Sequence, residues 1–411
     1  MRIIYLHQYF TTPEHAGGVR SYQFARRLVE RGVAVDMVTS SAFMPIEKAN
    51  GERFVSHRQI DGIDVHVIHT SYDNEMPFLR RIFAFLAFTM IASVYILKLK
   101  KRDLVFATST PLTIGIPGLI AKYYHRIPMV FEVRDLWPDV PIAMGIIRNS
   151  LLIKLLKWFE AKLYRASSKV VALSEGMIEE LRNKQVPDEK LVLVPNASDI
   201  IEFEGIVSEC EADPIAALRT GPDTKICLYA GTLGIVNNID YLVALAREFR
   251  TQKLDLHIII IGAGSQKQRI SEVIDGEQLY EFITLLEPVS KTKLVPYLHA
   301  SDACISTVQD IPALFNNSAN KFFDALAVGR PIVINHSGWQ AEVIKRHNLG
   351  IVLGQDPQIA ATELDRYLRT NIKKSLEQSI KAFASENYSR EILFDRFLSQ
   401  AIHSGLRNDS L

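Results

Sequence analysis

The stretch Asn316-Asn317-Ser318-Ala319-Asn320-Lys321-Phe322-Phe323-Asp324 holds the most telling side chains of the chain. A polar loop runs into a helix whose first turn carries Lys321. The helix stops at Gly329, and Pro331 opens a strand. Free N–H groups at a helix start attract anions, and a lysine there adds a full charge. Asp324 lies three residues further on the same face and can accept two hydrogen bonds from a vicinal diol such as a ribose. The plain alternative is a capped helix with a solvated Lys–Asp pair. Gly262-Ala263-Gly264-Ser265-Gln266-Lys267 follows an apolar run, which puts a glycine loop and a cation at the carboxyl end of a strand. Lys267 then either reaches a phosphate or sits on a surface turn. Gly17-Gly18 follows the first apolar run and precedes a helical pattern, so it is either a phosphate-approach loop or a tight turn. Neither loop is a Walker sequence or a Gly-x-Gly-x-x-Gly fingerprint.

These residues need a scaffold, and the 411 residues provide for two or three domains. Apolar residues make up 48% and charged residues 23%, which excludes a disordered, collagen-like or multi-span membrane chain. The 47 Lys and Arg against 46 Asp and Glu leave no basic excess for nucleic acid, so no nucleic-acid partner is expected. Cys210, Cys227 and Cys304 are distant and odd in number, suggesting neither disulfides nor a thiolate zinc site, and a reducing, cytoplasmic setting. Arg2–Leu6 is too short for a signal-peptide core and reads as a first strand. Further strands are expected at Ala34–Thr39, Asp64–Ile68, Leu104–Thr108, Met129–Val133, Lys169–Ala172 and Val192–Pro195, with helices between most of them. Residues 196–224 read as a linker with a short helix. Alternation resumes at Lys225–Ala230, Leu256–Gly262, Ile283–Leu286, Ala303–Ser306, Pro331–Ile334 and Gly350–Leu353. The pattern predicts α/β architecture with mainly parallel sheets. The expected domains are 1–198, 199–389 and a helix at 390–411 returning to the first.

Ile82–Leu97 has no charge, with Arg80 and Arg81 before it and Lys98, Lys100, Lys101 and Arg102 after it. Sixteen helical residues span about 24 Å, short of the roughly 30 Å hydrocarbon core. The segment is thus a core helix or a helix lying on a membrane with its cations on headgroups. A second stretch has the same character: Leu151, Leu152, Leu155, Leu156, Trp158 and Phe159, interspersed with Lys154, Lys157 and Lys162.

The ordered set Gly17-Gly18, Val194-Pro195-Asn196, Gly231-Thr232-Leu233-Gly234, Gly262/Gly264/Lys267 and Asp324-Ala325-Leu326-Ala327-Val328-Gly329-Arg330-Pro331 resembles the retaining glycosyltransferases of family four. The likeness implies the GT-B fold: two Rossmann-like domains facing across a cleft, with the C-terminal helix packing back on the first. Phe131-Glu132-Val133-Arg134-Asp135-Leu136-Trp137-Pro138 resembles the subgroup that makes bacterial O antigen, capsule or colanic acid. The resemblance implies transfer of a hexosyl- or N-acetylhexosaminyl-type sugar from a nucleotide-diphosphate sugar, a UDP-sugar being favoured. It implies a polyprenyl-diphosphate-linked acceptor at an anionic membrane surface, the enzyme being peripheral on the inner leaflet of the cytoplasmic membrane. It implies no cofactor and no metal. Lys267 and Lys321 would then stabilise the leaving diphosphate, with Gly17, Gly18, Gly262 and Gly264 beside the donor. Pro288 and Val289 would meet the base, and Asp324 the ribose. Asn316, Asn317 and Asn320 would face sugar or phosphate. Glu132, Arg134 and Asp135 would line the acceptor side, Arg134 and Asp135 as catalytic residues beside Lys267 and Lys321, unless the three form a structural salt bridge among themselves.

The departures are specific. Asn316 stands where the family's Glu-x7-Glu motif has its first Glu, and Asp324 stands for the second. Gly234-Ile235-Val236-Asn237-Asn238 lacks the usual basic pair, whose charge Lys321 could replace. Arg134-Asp135 replaces a frequent His-Asp. Two other functions compete: a non-catalytic GT-B subunit, favoured by Asn316, and a nucleotide-sugar epimerase of the same fold, disfavoured by the basic amphipathic stretches.

Overall fold

A computed structural model describes residues 1–15, 17–43, 54–70, 78–210, 213–219, 221–371 and 374–407. The chain divides into two compact units, Met1–Pro195 with Glu391–Leu411, and Asn196–Arg390.

The strands of the first unit are β1 (Arg2–Leu6), β2 (Ala34–Ser40), β3 (Val55–Ile60), β4 (Ile63–Ile68), β5 (Leu104–Thr108), β6 (Met129–Val133), β7 (Lys169–Ala172) and β8 (Leu191–Leu193). They lie in the order β3-β4-β2-β1-β5-β6-β7-β8. All pairs are parallel except β3–β4. The helices are α1 (Arg20–Glu30), α2 (Phe78–Lys98), α3 (Gly115–His125), α4 (Asp139–Ala143), α5 (Ser150–Ala166) and α6 (Glu175–Asn183). β5 and β6 are buried at every residue, as expected of a sheet covered on both faces. The edge strand β3 shows solvent on alternate residues, and its polar sequence gives no apolar run by which to recognise it.

The second unit begins with α7 (Ile200–Ser208). Its strands are β9 (Lys225–Ala230), β10 (Leu256–Ile261), β11 (Ile283–Leu286), β12 (Ala303–Ser306), β13 (Ile332–Ile334) and β14 (Gly350–Val352), ordered β11-β10-β9-β12-β13-β14 and all parallel. The helices are α8 (Ile239–Gln252), α9 (Lys267–Glu277), α10 (Lys291–Ala300), α11 (Asn320–Ala327), α12 (Trp339–His347), α13 (Pro357–Asn371) and α14 (Lys374–Tyr388). Separate apolar cores cover the two faces of this sheet. The unit is tied shut where it starts and ends: Ser198 N donates to Tyr388 O at 2.8 Å, and Arg390 pairs with Asp199 in a buried bridge.

A last helix, α15 (Arg390–Arg396), continues through a π-helical stretch at Phe397–His403 and ends in α16 (Ser404–Arg407). Phe397 packs on Phe24 of α1 (ring centroids 4.8 Å apart) and on Phe106 of β5 (5.0 Å), so the end of the chain completes the first unit's core.

Candidate active site

In open parallel sheets, ligands bind at the carboxyl ends of strands where the strand order reverses. In the second unit that point lies between β9 and β12. Three backbone bonds join the loops after β9 and β10: Gly231 N to Ile261 O (2.9 Å), Leu233 N to Ala263 O (2.8 Å) and Gln266 N to Leu233 O (2.9 Å). The glycines make this possible. A Cβ on Gly262 would overlap the Gly231 carbonyl oxygen, and one on Gly264, at φ +149°, would lie 2.6 Å from Leu233 O. Gly262 and Gly264 therefore build the loop floor.

Lys321, in the first turn of α11, reaches across to this floor. A Cβ on Gly231 would lie 2.6 Å from its Cε and 3.0 Å from its Nζ. The ammonium sits 4.8 Å from the centre of the Tyr229 ring and has no hydrogen-bonding or carboxylate partner among the described residues. Burial pushes its pKa down to about 8, against the opposing pull of Asp324. A half-buried cation held over glycine backbone at a strand end can seat an anion.

Asp324 is placed differently from the expectation. Its carboxylate meets Lys291 Nζ of α10 at 2.5 Å and is largely buried, so an anchored ion pair occupies the group expected to hold a diol. Burial raises its pKa, and Lys291 opposes that rise. Lys267 lies at the start of α9 and bonds Glu287 at 2.5 Å, an exposed carboxylate next to Pro288. Pro288 is exposed, whereas Val289 packs against the core. Asn317 is a loop former rather than a ligand group: its Nδ2 donates to Leu314 O at 2.6 Å and its Oδ1 accepts from Ala319 N at 3.1 Å. Asn316 is half-buried and Asn320 exposed beside Lys321. Asn196 Nδ2 donates to Ser318 O at 2.6 Å, and Ser198 Oγ to Phe323 O at 2.8 Å, so two further side chains position the approach to α11.

In the first unit the order reverses between β1 and β5. Gly17 has φ +145°, a conformation that favours glycine, and Gly18 leads into α1. Glu132 does not line a site. It is fully buried at the end of β6, where it accepts from Arg20 Nη2 at 2.8 Å and from Thr108 Oγ1 at 2.5 Å. Arg20 also donates to the carbonyls of Val194 and Pro195, so this pair fastens α1 to the sheet. No salt bridge joins Glu132, Arg134 and Asp135: Arg134 Nη1 contacts His7 Nε2 at 3.0 Å, and exposed Asp135 accepts from Thr110 Oγ1 at 3.0 Å. A guanidinium only donates, so His7 Nε2 accepts and Nδ1 carries the ring proton. Burial and the charge of Arg134 keep His7 neutral. His7 Nδ1 and both amide atoms of Gln8 are buried without partners among the described residues, so unused polar groups gather at the end of β1. Among the described residues, no three His, Cys, Asp or Glu side chains form a set that could hold a metal.

A family described as the glycosyl transferase 4-like domain matches residues 16–197, and one described as glycosyl transferases group 1 matches residues 224–370. Glycosyltransferase models thus match both units, and the chain is a glycosyltransferase. This glycosyltransferase has the GT-B fold. The structure of Anabaena HepE in complex with UDP and glucose superposes with a TM-score of 0.68 at 16% identity, covering 97% of this chain and 98% of that one. The uncharacterized glycosyltransferase MJ1607 of Methanocaldococcus jannaschii is 21% identical over 383 residues, 92% of each chain. WcaI of Escherichia coli strain K12, a colanic acid biosynthesis glycosyl transferase by name, is 24% identical over 209 residues, half of each chain.

In this glycosyltransferase several positioning residues escape sequence reasoning: Arg20 and His7 in the first unit and Lys291 in the second. Arg20, His7 and Lys291 each act through a partner distant in the chain. Arg20 and Glu132 are 112 residues apart, and His7 and Arg134 are 127. One local signal existed for Arg20, an arginine just after a glycine pair at a helix start.

Proposed function

We propose that the enzyme retains anomeric configuration while moving a sugar from a UDP-sugar to a polyprenyl-diphosphate-linked glycan, in the synthesis of a bacterial surface polysaccharide. It works at the inner leaflet of the cytoplasmic membrane, where such an acceptor remains. The observation that carries this reading is Lys321, an ammonium over the Tyr229 ring with no hydrogen-bonding or carboxylate partner among the described residues, beside the Gly231 backbone at a strand-order reversal. Cleavage of a sugar–diphosphate bond leaves growing negative charge on the diphosphate, and a preorganised cation favours that charge most as it develops. Lys267 supplies a second cation by exchanging Glu287 for phosphate. The UDP and glucose of the HepE complex support the choice of donor, and the WcaI likeness supports the polysaccharide. Arg134, with His7 and Gln8 beside the end of β1, is assigned to the acceptor's phosphate or hydroxyl groups.

The test is a thermal-shift comparison of UDP, GDP and ADP, followed by transfer assays with UDP-sugars and a polyprenyl-diphosphate-linked sugar. A nucleotide at about 100 times its dissociation constant adds about 2.7 kcal/mol of stability. A shift with UDP that Lys321→Ala abolishes, together with transfer by the wild type, is the expected result. UDP binding with neither transfer nor donor hydrolysis would favour the non-catalytic subunit instead. No response to any of the three nucleotides would overturn the donor site.

A further inference from the structure

α2 presents two faces. Phe88, Ala92 and Ile96 are buried in the first unit's core, and Ala84 on the same side is buried too. Phe83, Leu86, Met90, Val94 and Leu97 form an opposite stripe at intervals of three, four, four and three, all exposed, Phe83 at 70% and Met90 at 64%. α5 repeats the feature with Leu151 (75%), Leu155 and Trp158 (54%). α3 packs against both α2 and α5. His125 at its end bonds Ile96 O at 3.0 Å, and Tyr123 joins Trp158, Lys162 and Arg165 around a hollow of about 380 Å³. The stripes therefore belong to neighbouring helices of one unit.

The charge on these helices is one-sided. α2, α3 and α5 carry eight Lys or Arg and a single acid, Glu160. Glu160 is 3% exposed and already paired with Lys184, so the three helices show no exposed carboxylate. The whole chain is nearly neutral, so this excess is local. Of the six cations expected to flank α2, Lys98, Lys100 and Lys101 are exposed, as is Arg80, while the side chain of Arg81 lies outside the described residues. Arg102 turns inward, bonding Asp36 at 2.6 Å, and is unavailable. Lys154, Lys162 and Arg165 of α5 more than replace it.

We propose that α2, α3 and α5 form one docking face for an anionic lipid bilayer, with the apolar stripes entering the acyl boundary and the surrounding cations meeting phosphate headgroups. Amphipathic surfaces with apolar residues beside lysines bind membranes in this way, through buried apolar area plus attraction to anionic lipid. Trp158 and Tyr123, next to Lys162 and Arg165, have the mixed apolar and polar character of residues at headgroup depth. No helix among the described residues is long and apolar enough to cross a membrane, so the face lies on the bilayer. A second protein would more often match such a dense cationic rim with its own carboxylates, and it is tested as the rival occupant.

The inference takes from the proposed function only the need to reach a bilayer. Its test contains no acceptor or donor, so the two readings fail independently. Purified full-length protein is sedimented with phosphatidylcholine vesicles, with and without phosphatidylglycerol, across a salt series. Two variants accompany it, one with Phe83→Ser, Met90→Ser, Leu155→Ser and Trp158→Ser, the other with Lys98→Gln, Lys154→Gln, Lys162→Gln and Arg165→Gln. All eight positions are exposed, so both variants should keep the wild-type melting temperature and nucleotide response. Binding to anionic vesicles that weakens with salt, and falls about tenfold or more in each variant, is the expected result. Equal binding to both vesicle types, no binding to either, or full binding by the serine variant would overturn it. So would a wild-type dimer in sedimentation velocity that the serine variant dissolves while vesicles capture neither.

Discussion

Lys321 sets function against stability at a single atom. Its ammonium is half-buried and no carboxylate bonds it among the described residues, and this partial burial lowers its pKa from 10.5 to about 8. Between those two values the unfolded chain holds the extra proton, so stability rises with pH across that window, and the cost is fully present below about pH 8. Lys321→Met should therefore stabilise the unliganded protein at pH 7 by about 1–3 kcal/mol and raise its melting temperature. The same change should lower transfer by about 10²–10³, the usual loss for one preorganised charge contact. A melt and a steady-state assay on one preparation check both signs. Diphosphate binding would restore the charge, so nucleotide affinity should fall as pH rises past about 8. Calorimetry in two buffers should then record proton uptake that Lys321→Arg abolishes. Glu132 makes the opposite case. Glu132→Gln leaves the buried Arg20 charge without its partner, which typically costs about 3–5 kcal/mol. That variant should melt early, and whatever folded enzyme remains should keep its KM for the acceptor. Lys321 and the glycine loops were legible in the sequence because their signals are local. The role of Glu132 was not, because its partner sits in another helix and no sequence spacing joins them.

At the scale of elements, backbone contact makes demands on composition. The loops after β9 and β10 touch through Gly231 and Gly262, leaving no room for a methyl group. Gly262→Ala should push them apart, costing roughly 1–3 kcal/mol as overpacking does. It should also displace the Gly231 backbone from Lys321 and weaken UDP binding more than it lowers stability. Titration calorimetry of UDP at a temperature where the variant remains folded separates the two losses. Retained affinity in a destabilised variant would mean that the floor does not shape the site. The buried strands were easy to anticipate: Leu256–Ile261, apolar except for His257, forms β10. The β3 strand was not anticipated, since Val-Ser-His-Arg-Gln-Ile at a sheet edge has to bury only part of itself. α2 is longer than its uncharged stretch suggested, because Arg80 and Arg81 continue the helix rather than precede it.

At the scale of the whole molecule, the first unit contains both ends of the chain. Removing residues 391–411 would uncover Phe24 and Phe106, which lose Phe394 and Phe397 as neighbours. Loss of a buried phenylalanine typically costs about 3–5 kcal/mol. The truncated chain should therefore lose the first unit's cooperative unfolding while still shifting its second transition with UDP, as differential scanning calorimetry would record. Loss of both transitions would show that the second unit cannot stand alone. The same closure bears on how the protein is born. A ribosome releases residues 196–390 before it releases Phe397, so the second unit has all its strands while the first still lacks the aromatic rings that cap Phe24. Synthesis at about 5–20 residues per second leaves the earliest part of the chain waiting tens of seconds for its last. The later-made unit should thus be the first to resist protease on stalled nascent chains, and residues 1–195 should depend on chaperones until Phe397 has emerged.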